Sequence, residues 1–190
     1  NSKSIFDKKI YINFAKYILS CQDSEGGIHW EPDSKLDPWD HIESAMGLDV
    51  LGFEAESKNA YNWLRTYQES DGSWSSLFHS SEINNLKETN FSSYIAVGMW
   101  HHFINFNDKN FLNDFWPVLD KAIEFTLSAQ SEYGDFFWAK DGKKWLDDSL
   151  KTGCSSIYMS LLCYKKIANE INKQDRVSNT QINNLRDCLK

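Results

Sequence analysis

The sequence predicts an all-α fold in which helical hairpins repeat to form an arc of the α/α-toroid type, a partial α/α barrel of about seven helices. Three observations predict it. One pattern occurs three times along the 190 residues; each copy is a helix that ends in Gln, a Gly turn and an aromatic residue; and a second helix follows each copy. The copies are Ala15–Gln22 with Gly26–Trp30, Ala60–Gln68 with Gly72–Trp74, and Lys121–Gln130 with Gly134–Trp138.

The first helix of each hairpin is amphipathic. Apolar residues recur three and four positions apart, as in Phe14, Tyr17, Ile18 and Cys21 of the first copy. A Gly follows each helix where a helix C-terminus favours a positive φ. These features predict three outer helices of similar length and similar ending.

The second helices are expected at Asp40–Gly52, from Asn90 to about residue 105, and from Thr152 to about residue 169. Small residues line one stripe of each, which lets helices approach closely, as an inner layer requires. Asp40 and Glu43 have the spacing of a capping box, so Asp40 is the expected N-cap of the first inner helix.

We expect one domain over residues 1–190, with hairpins at about 8–53, 57–105 and 108–170 and a terminal helix at 180–190. The third outer helix should run near 110–130 and bend or restart at Pro117. Three and a half hairpins make an arc with an open end. An uncovered end exposes apolar surface, so we expect a second copy, as a homodimer, or additional repeats to close the ring.

Composition restricts the partners. Twenty Lys and Arg against 27 Asp and Glu give a net charge of −7, which argues against a nucleic-acid partner. No apolar stretch approaches the roughly 20 residues of a membrane span, and the first residues lack the apolar centre of a signal peptide. We therefore expect a cytoplasmic protein with a small-molecule substrate, no membrane span and free thiols.

Aromatic residues make up 15% of the chain, which favours an aromatic-lined cavity.

The segment Gln68–Trp74, preceded by an apolar helix and followed by Glu88 and Thr89, resembles the Gln-Trp repeat of squalene–hopene cyclases and related terpenoid cyclase and prenyltransferase toroids. The resemblance spans roughly residues 8–170. It implies an enzyme acting on an isoprenoid or other apolar substrate, whose aromatic walls stabilise a developing carbocation. In that family an Asp-x-Asp-Asp motif opens an inner helix; the matching place here is Asp37–Asp40, with Trp39 where the proton-donating Asp stands.

The repeat also has a mechanical interpretation. A Gln at a helix end can bond unpaired backbone groups of a neighbouring helix, while the Trp packs over the Gly turn. Under this interpretation the repeated Gln and Trp residues tie adjacent hairpins together.

A second resemblance lies in the third hairpin. The segment Asn107–Pro117, followed by an Ala- and Phe-containing helix and by Gly134–Trp138, is similar to segments of glucoamylase-like (α/α)₆ glycosidases. Such enzymes work with two carboxyl groups across a sugar pocket, one as general acid and one as base, and with aromatic faces that stack on the sugar ring.

The N-termini of the inner helices should converge on one mouth, where we place the candidate site. The expected catalytic residues are Asp37, Asp40, Glu43 and Glu88. The expected substrate-binding residues are Trp30, Trp39, His41, Trp74, Asn90, Tyr94, Trp138 and Tyr158. No clear set of zinc ligands is evident, so we expect neither a metal nor another cofactor.

Three functions remain open from the sequence. The main hypothesis is a terpenoid cyclase or prenyltransferase-like enzyme. The first alternative is a carbohydrate-active (α/α) glycosidase with paired carboxyl groups, and the second is a non-catalytic helical-repeat module that binds a partner on its concave face.

Overall fold

The computed structural model describes residues 8–79, 82, 83 and 85–190. Residues 1–7, 80, 81 and 84, which belong to the expected domain, lie outside this part. The described residues form seven helices: α1 (Lys8–Ser20), α2 (Pro38–Val50), α3 (Glu54–Tyr67), α4 (Thr89–Phe106), α5 (Lys109–Leu127), α6 (Lys151–Glu170) and α7 (Asn179–Cys188). They also form five short strands: β1 (Phe78–His79), β2 (Glu82–Ile83), β3 (Leu86–Glu88), β4 (Ala139–Asp141) and β5 (Lys144–Trp145).

The helices form two layers. Helix α4 packs between α2 and α6 in the inner layer, and the outer helices α1, α3, α5 and α7 pack against it from outside. This is the α/α-toroid arc that the repeats predict, and the all-α fold class is confirmed. In the described part of the chain, no helix has both the length and the apolar character needed to cross a bilayer.

The strands lie in the loops that lead into the inner helices. β1 and β2 form an antiparallel hairpin, and β3, β4 and β5 form a three-stranded antiparallel sheet in which Lys87 is opposite Lys140. Because β3 ends at Glu88 and α4 begins at the next residue, this sheet fixes the start of the middle inner helix.

The three repeated glutamines join neighbouring outer helices. Each side-chain amide donates to the carbonyl of the Gly in its own turn and to a carbonyl on the next outer helix. The bonds run from Gln22 to Gly26 (3.1 Å) and Glu56 (2.9 Å), from Gln68 to Gly72 (3.0 Å) and Val118 (2.9 Å), and from Gln130 to Gly134 (3.0 Å) and Gln181 (3.1 Å). The predicted mechanical role of the glutamines is confirmed.

The glycine of each turn is required by both conformation and space. Gly72 has φ +95°, and a Cβ placed on it would lie 2.2 Å from the carbonyl oxygen of Lys121 on α5. Gly26 and Gly134 adopt φ +100° and +98° and approach the next outer helix in the same way. The close approach lets the glutamine reach the neighbouring helix.

One predicted helix boundary is wrong, and one predicted restart within a helix is absent. Helix α2 begins at Pro38, and its N-cap is Asp37, whose Oδ1 accepts from the backbone N–H of Asp40 at 2.9 Å. Proline suits the first helical position because its missing N–H would have no partner there, so the helix starts before the expected cap Asp40. Helix α5 runs from Lys109 without restarting at Pro117.

A buried polar cluster lies at the other end of the inner helices. Asp49 of α2 is 2% exposed, and its carboxylate lies 2.8 Å from Nδ1 of His102 and 3.4 Å from Nδ1 of His101 on α4. Burial alone raises the pKa of Asp49, but hydrogen bonds with these two histidines and Ser57 outweigh it and lower the pKa. The cluster therefore ties α2 to α4 through a buried carboxylate.

We expect Gly72→Ala to destabilise the fold by about 2–4 kcal/mol, because the new Cβ meets the backbone of α5 and the residue keeps a positive φ. Gly142→Ala is the matched control: Gly142 also has a positive φ, but no atom lies within 4 Å of its would-be Cβ, so only about 1 kcal/mol is expected. Urea unfolding measures both. Equal losses would show that the contact with α5 has no energetic effect.

We expect Asp49→Asn to lower the free energy of unfolding by about 1–3 kcal/mol at neutral pH, because it replaces a buried carboxylate, which two histidines contact by hydrogen bonds, with a neutral amide. Since the folded-state pKa of Asp49 is lowered, its contribution is present above the ordinary carboxyl pKa and is lost as the pH falls through the folded pKa. The exposed Glu132→Gln serves as control, and denaturant unfolding across pH is the measurement. A pH-independent difference of under 1 kcal/mol would contradict the expectation.

Candidate active site

Asp37 lies at the start of α2 and is almost fully enclosed, with 5% of its surface exposed. Its Oδ1 caps the helix, and its Oδ2 accepts from the indole Nε1 of Trp30 at 2.6 Å. Both oxygens therefore have donors, which fixes this carboxylate behind the cavity-lining residues Trp30 and Asp40. A carboxylate at a helix N-terminus is also stabilised by the helix dipole.

Asp40 and Glu43 lie three residues apart on α2 and so face the same side of the helix. Both line a cavity of about 400 Å³. Trp30 forms part of its wall and is 45% exposed, and Nζ of Lys35 lies 3.7 Å from the centre of the indole ring. The cavity thus places an aromatic ring beside two carboxyl groups.

The pKa of the Asp40 carboxyl is raised. Partial loss of hydration at the cavity wall is the largest cause, and the neighbouring carboxyl groups of Asp37 and Glu43 raise it further. A carboxyl group that keeps its proton to a higher pH than usual can act as a general acid.

Glu88 holds the matching place before α4. Its Oε2 accepts from the indole Nε1 of Trp138 at 2.8 Å, as Asp37 accepts from Trp30. Burial raises the pKa of Glu88, the Trp138 hydrogen bond opposes this, and the charge on Asp37 raises it again. The indoles of the first and third repeats therefore each hold a carboxyl group at the start of an inner helix.

An aromatic pair lies on the other side of α2. The rings of Trp39 and Tyr94 are stacked, with centroids 3.8 Å apart, and the Tyr94 hydroxyl donates to Oε1 of Glu43 at 3.1 Å. Burial and the nearby Glu43 raise the pKa of Tyr94 to about 12, so its hydroxyl stays protonated. Tyr94 therefore orients Glu43 as a hydrogen-bond donor.

Two expected substrate-binding residues lie in the core. His41 is fully buried; its Nδ1 accepts from the backbone N–H of Ile28 and its Nε2 donates to the carbonyl of Ala60. Burial lowers the pKa of His41 to about 4, so the ring is neutral. Trp74 is 1% exposed and donates to the carbonyl of Leu64. Both side chains hold the hairpins together, and neither lines the cavity.

Asn90 and Tyr158 lie on the inner helices outside the lining of this cavity. Asn90 is in the first turn of α4, and its Oδ1 is buried and has no hydrogen-bond partner among the described residues. Tyr158 is half-buried on α6 and packs against the core.

Sequence reasoning missed one wall of the cavity. Tyr17 and Ile18 from the last turn of α1 line it, together with Cys21, Ile28 and His29 from the following loop. The apolar spacing on α1 indicated helix packing and carried no separate signal of a cavity. Over the described ranges, no three His, Cys, Asp or Glu side chains are grouped so as to hold a metal ion.

No family model matches the chain. A curated relative, MMP endo-(1,4)-3-O-methyl-alpha-D-mannosidase of Mycolicibacterium hassiacum, is 36% identical over 155 residues. The match covers 81% of this chain and 43% of the relative, so the chain spans less than half the length of the curated protein that it matches.

Several solved structures share the fold at low sequence identity. An unsaturated glucuronyl hydrolase specific for heparin matches all of this chain and 56% of its own, with a TM-score of 0.70 and 12% identity. A D-mannose isomerase matches 97% of this chain and 51% of its own, with a TM-score of 0.66 and 13% identity. An alpha-amylase from Clostridium perfringens matches 100% of this chain and 54% of its own, with a TM-score of 0.65 and 10% identity.

The resemblance to terpenoid cyclases and prenyltransferases is therefore wrong, and so are the isoprenoid substrate and transferase activity that it implied. The relative in sequence is a mannosidase, and the structural neighbours are sugar hydrolases and isomerases. The physical reason lies in the repeat. The Gln and Gly residues tie hairpins of an α/α toroid together, a mechanical requirement that does not depend on the chemistry in the mouth.

We expect Asp40→Asn to be more stable than the wild type at neutral pH. Because the pKa of Asp40 is raised in the folded state, its contribution to stability is present below the ordinary carboxyl pKa and is lost as the pH rises through the raised value. The stability of the variant relative to wild type should therefore increase from about pH 3 to about pH 7.

Chemical unfolding at both pH values measures this difference, and Asp141→Asn, an exposed site that does not line the cavity, is the control. A loss of stability in Asp40→Asn at neutral pH would instead indicate a structural role for the carboxylate.

Proposed function

We propose that this chain acts on carbohydrates as an α/α-toroid glycoside hydrolase. The observation that carries the proposal is the Asp40 carboxyl group, whose pKa is raised. This group lines a cavity together with a second carboxyl group, that of Glu43, and the ring of Trp30. Paired carboxyl groups beside an aromatic face are the equipment of glycosidic bond hydrolysis. The mannosidase activity named for the relative supports an α-linked mannose chain, including O-methylated mannose, as substrate.

In this mechanism Asp40 donates its proton to the glycosidic oxygen as the bond to the sugar breaks. Glu43, oriented by the Tyr94 hydroxyl, is the second carboxyl group, which either attacks the sugar carbon or activates a water molecule. Asp37 does not contact the substrate in this scheme. Partial burial of Asp40 and the charge on Asp37, which Trp30 and the helix N-terminus hold in place, raise the pKa of Asp40.

The proposed substrate-binding surface is aromatic. Trp30 presents a partly exposed indole in the cavity wall, and a sugar ring stacks its C–H face on such a surface. The chain's net charge of −7 favours a neutral oligosaccharide over an anionic one.

We expect Asp40→Asn to lower kcat on α-(1,4)-linked mannose oligosaccharides, with and without 3-O-methyl groups, by about 10²–10⁴-fold. Wild-type activity should fall as the pH rises through the raised pKa of Asp40, because the acid must be protonated. Release of reducing ends measures the rate, and NMR of the first product identifies its anomer and hence the role of Glu43.

Asp141→Asn makes the same chemical change at an exposed position away from the cavity and should keep full activity. Full activity in Asp40→Asn would refute its role as the acid. Binding of oligosaccharides without hydrolysis by the wild type would favour a non-catalytic binding module.

A further inference from the structure

A second cavity, of about 680 Å³, lies against the first. Cys21 and His29 line both cavities, so the two cavities adjoin at these residues. Both imidazole nitrogens of His29 face oxygen atoms: Nδ1 lies 2.7 Å from the carbonyl oxygen of Ser34, and Nε2 lies 2.9 Å from Oδ2 of Asp23. These contacts fix the orientation of the ring where the two cavities adjoin.

The far wall of the second cavity is aromatic. Trp63 and Tyr67 on α3 are stacked with centroids 4.5 Å apart, and Phe78 of β1 packs edge-on against both rings. Trp63 is 4% exposed, whereas Tyr67 is 37% exposed. Tyr67 is thus an open aromatic surface supported from behind by a buried ring.

The rest of the lining is polar and acidic. Asp23, Asp33 and Ser34 border the cavity, and no Lys or Arg is among the described residues that line it. Such a lining disfavours an anionic ligand. Aromatic rings beside carboxylates suit a neutral polyhydroxylated ring, which stacks on the former and donates hydroxyl hydrogen bonds to the latter.

We propose that one oligosaccharide occupies both cavities. The glycosidic bond that is cleaved lies at Asp40 in the first cavity, and further sugar units of the same oligosaccharide bind in the second cavity. His29 lies between these two groups of sugar units. This inference rests on the proposed function. It assigns Tyr67 as a residue that determines preference for long substrates, and it implies that the enzyme holds one oligosaccharide along two adjoining cavities.

The test compares wild type and Tyr67→Ala on α-(1,4)-linked mannose oligosaccharides from two to about eight units. We expect Tyr67→Ala to raise KM about tenfold for the long chains, with kcat unchanged and the shortest substrate unaffected. Tyr133→Ala is the matched control, because Tyr133 is 79% exposed and lines neither cavity. Equal changes for short and long chains, or no change, would overturn the inference.

Equilibrium binding separates this inference from the hydrolase proposal. Titration calorimetry of the same oligosaccharides on the full 190-residue chain, with Asp40→Asn as background, needs no turnover. Length-dependent affinity that Tyr67→Ala removes would support the second cavity as a sugar site even if the wild type hydrolyses nothing, in which case only the hydrolase proposal fails. Hydrolysis with an affinity that does not grow with chain length would overturn the second cavity alone, and no binding of any oligosaccharide would overturn both.

Discussion

The amide groups of Gln22, Gln68 and Gln130 each donate to the turn of their own hairpin and to a carbonyl of the next outer helix. Because the same two bonds recur in every repeat, each outer helix is tied to the one before it by the same kind of contact. The inner helices follow from this, since each is joined to the next outer helix by a short connection, such as residues 51–53 between α2 and α3. The start of α2 and the start of α4 therefore lie at one mouth. The positions of the carboxyl groups at these helix starts thus depend on the glutamine hydrogen bonds, which are made outside the site.

At the mouth, the carboxylate of Asp37 both stabilises the fold and changes the pKa of its neighbours. Asp37 caps α2 and accepts from Trp30, so its position is fixed by the fold. The same charge raises the pKa of Asp40 and of Glu88. A charge held by helix and indole donors costs no reorganisation when a proton moves beside it. One carboxylate thus both caps a helix and helps to raise the pKa of two neighbouring carboxyl groups.

The repeat pattern was a reliable guide to architecture and a poor one to chemistry. Its Gln and Gly residues serve the contact between hairpins, and any α/α toroid built from such hairpins needs that contact. The carboxyl groups that distinguish one chemistry from another lie in the loops and first helical turns, where the repeats differ. Trp74 illustrates the point: it stands two residues after its turn glycine and lies in the core, as Ile28 and Phe136 do in the other copies, whereas Trp30 and Trp138 stand four residues after theirs and bind carboxyl groups.

The sequence by itself determined the helical hairpins, their two layers, the positive φ of the turn glycines and the mechanical role of the glutamines, because these depend on local spacing and turn chemistry. It also indicated Asp37, Asp40, Glu43 and Glu88 by their position before or within the first turns of inner helices. Only the tertiary structure decided which side chains face a cavity and which are buried. His41 lies in the core, and the last turn of α1 forms a cavity wall, since the side of a helix that is covered depends on neighbours distant in sequence.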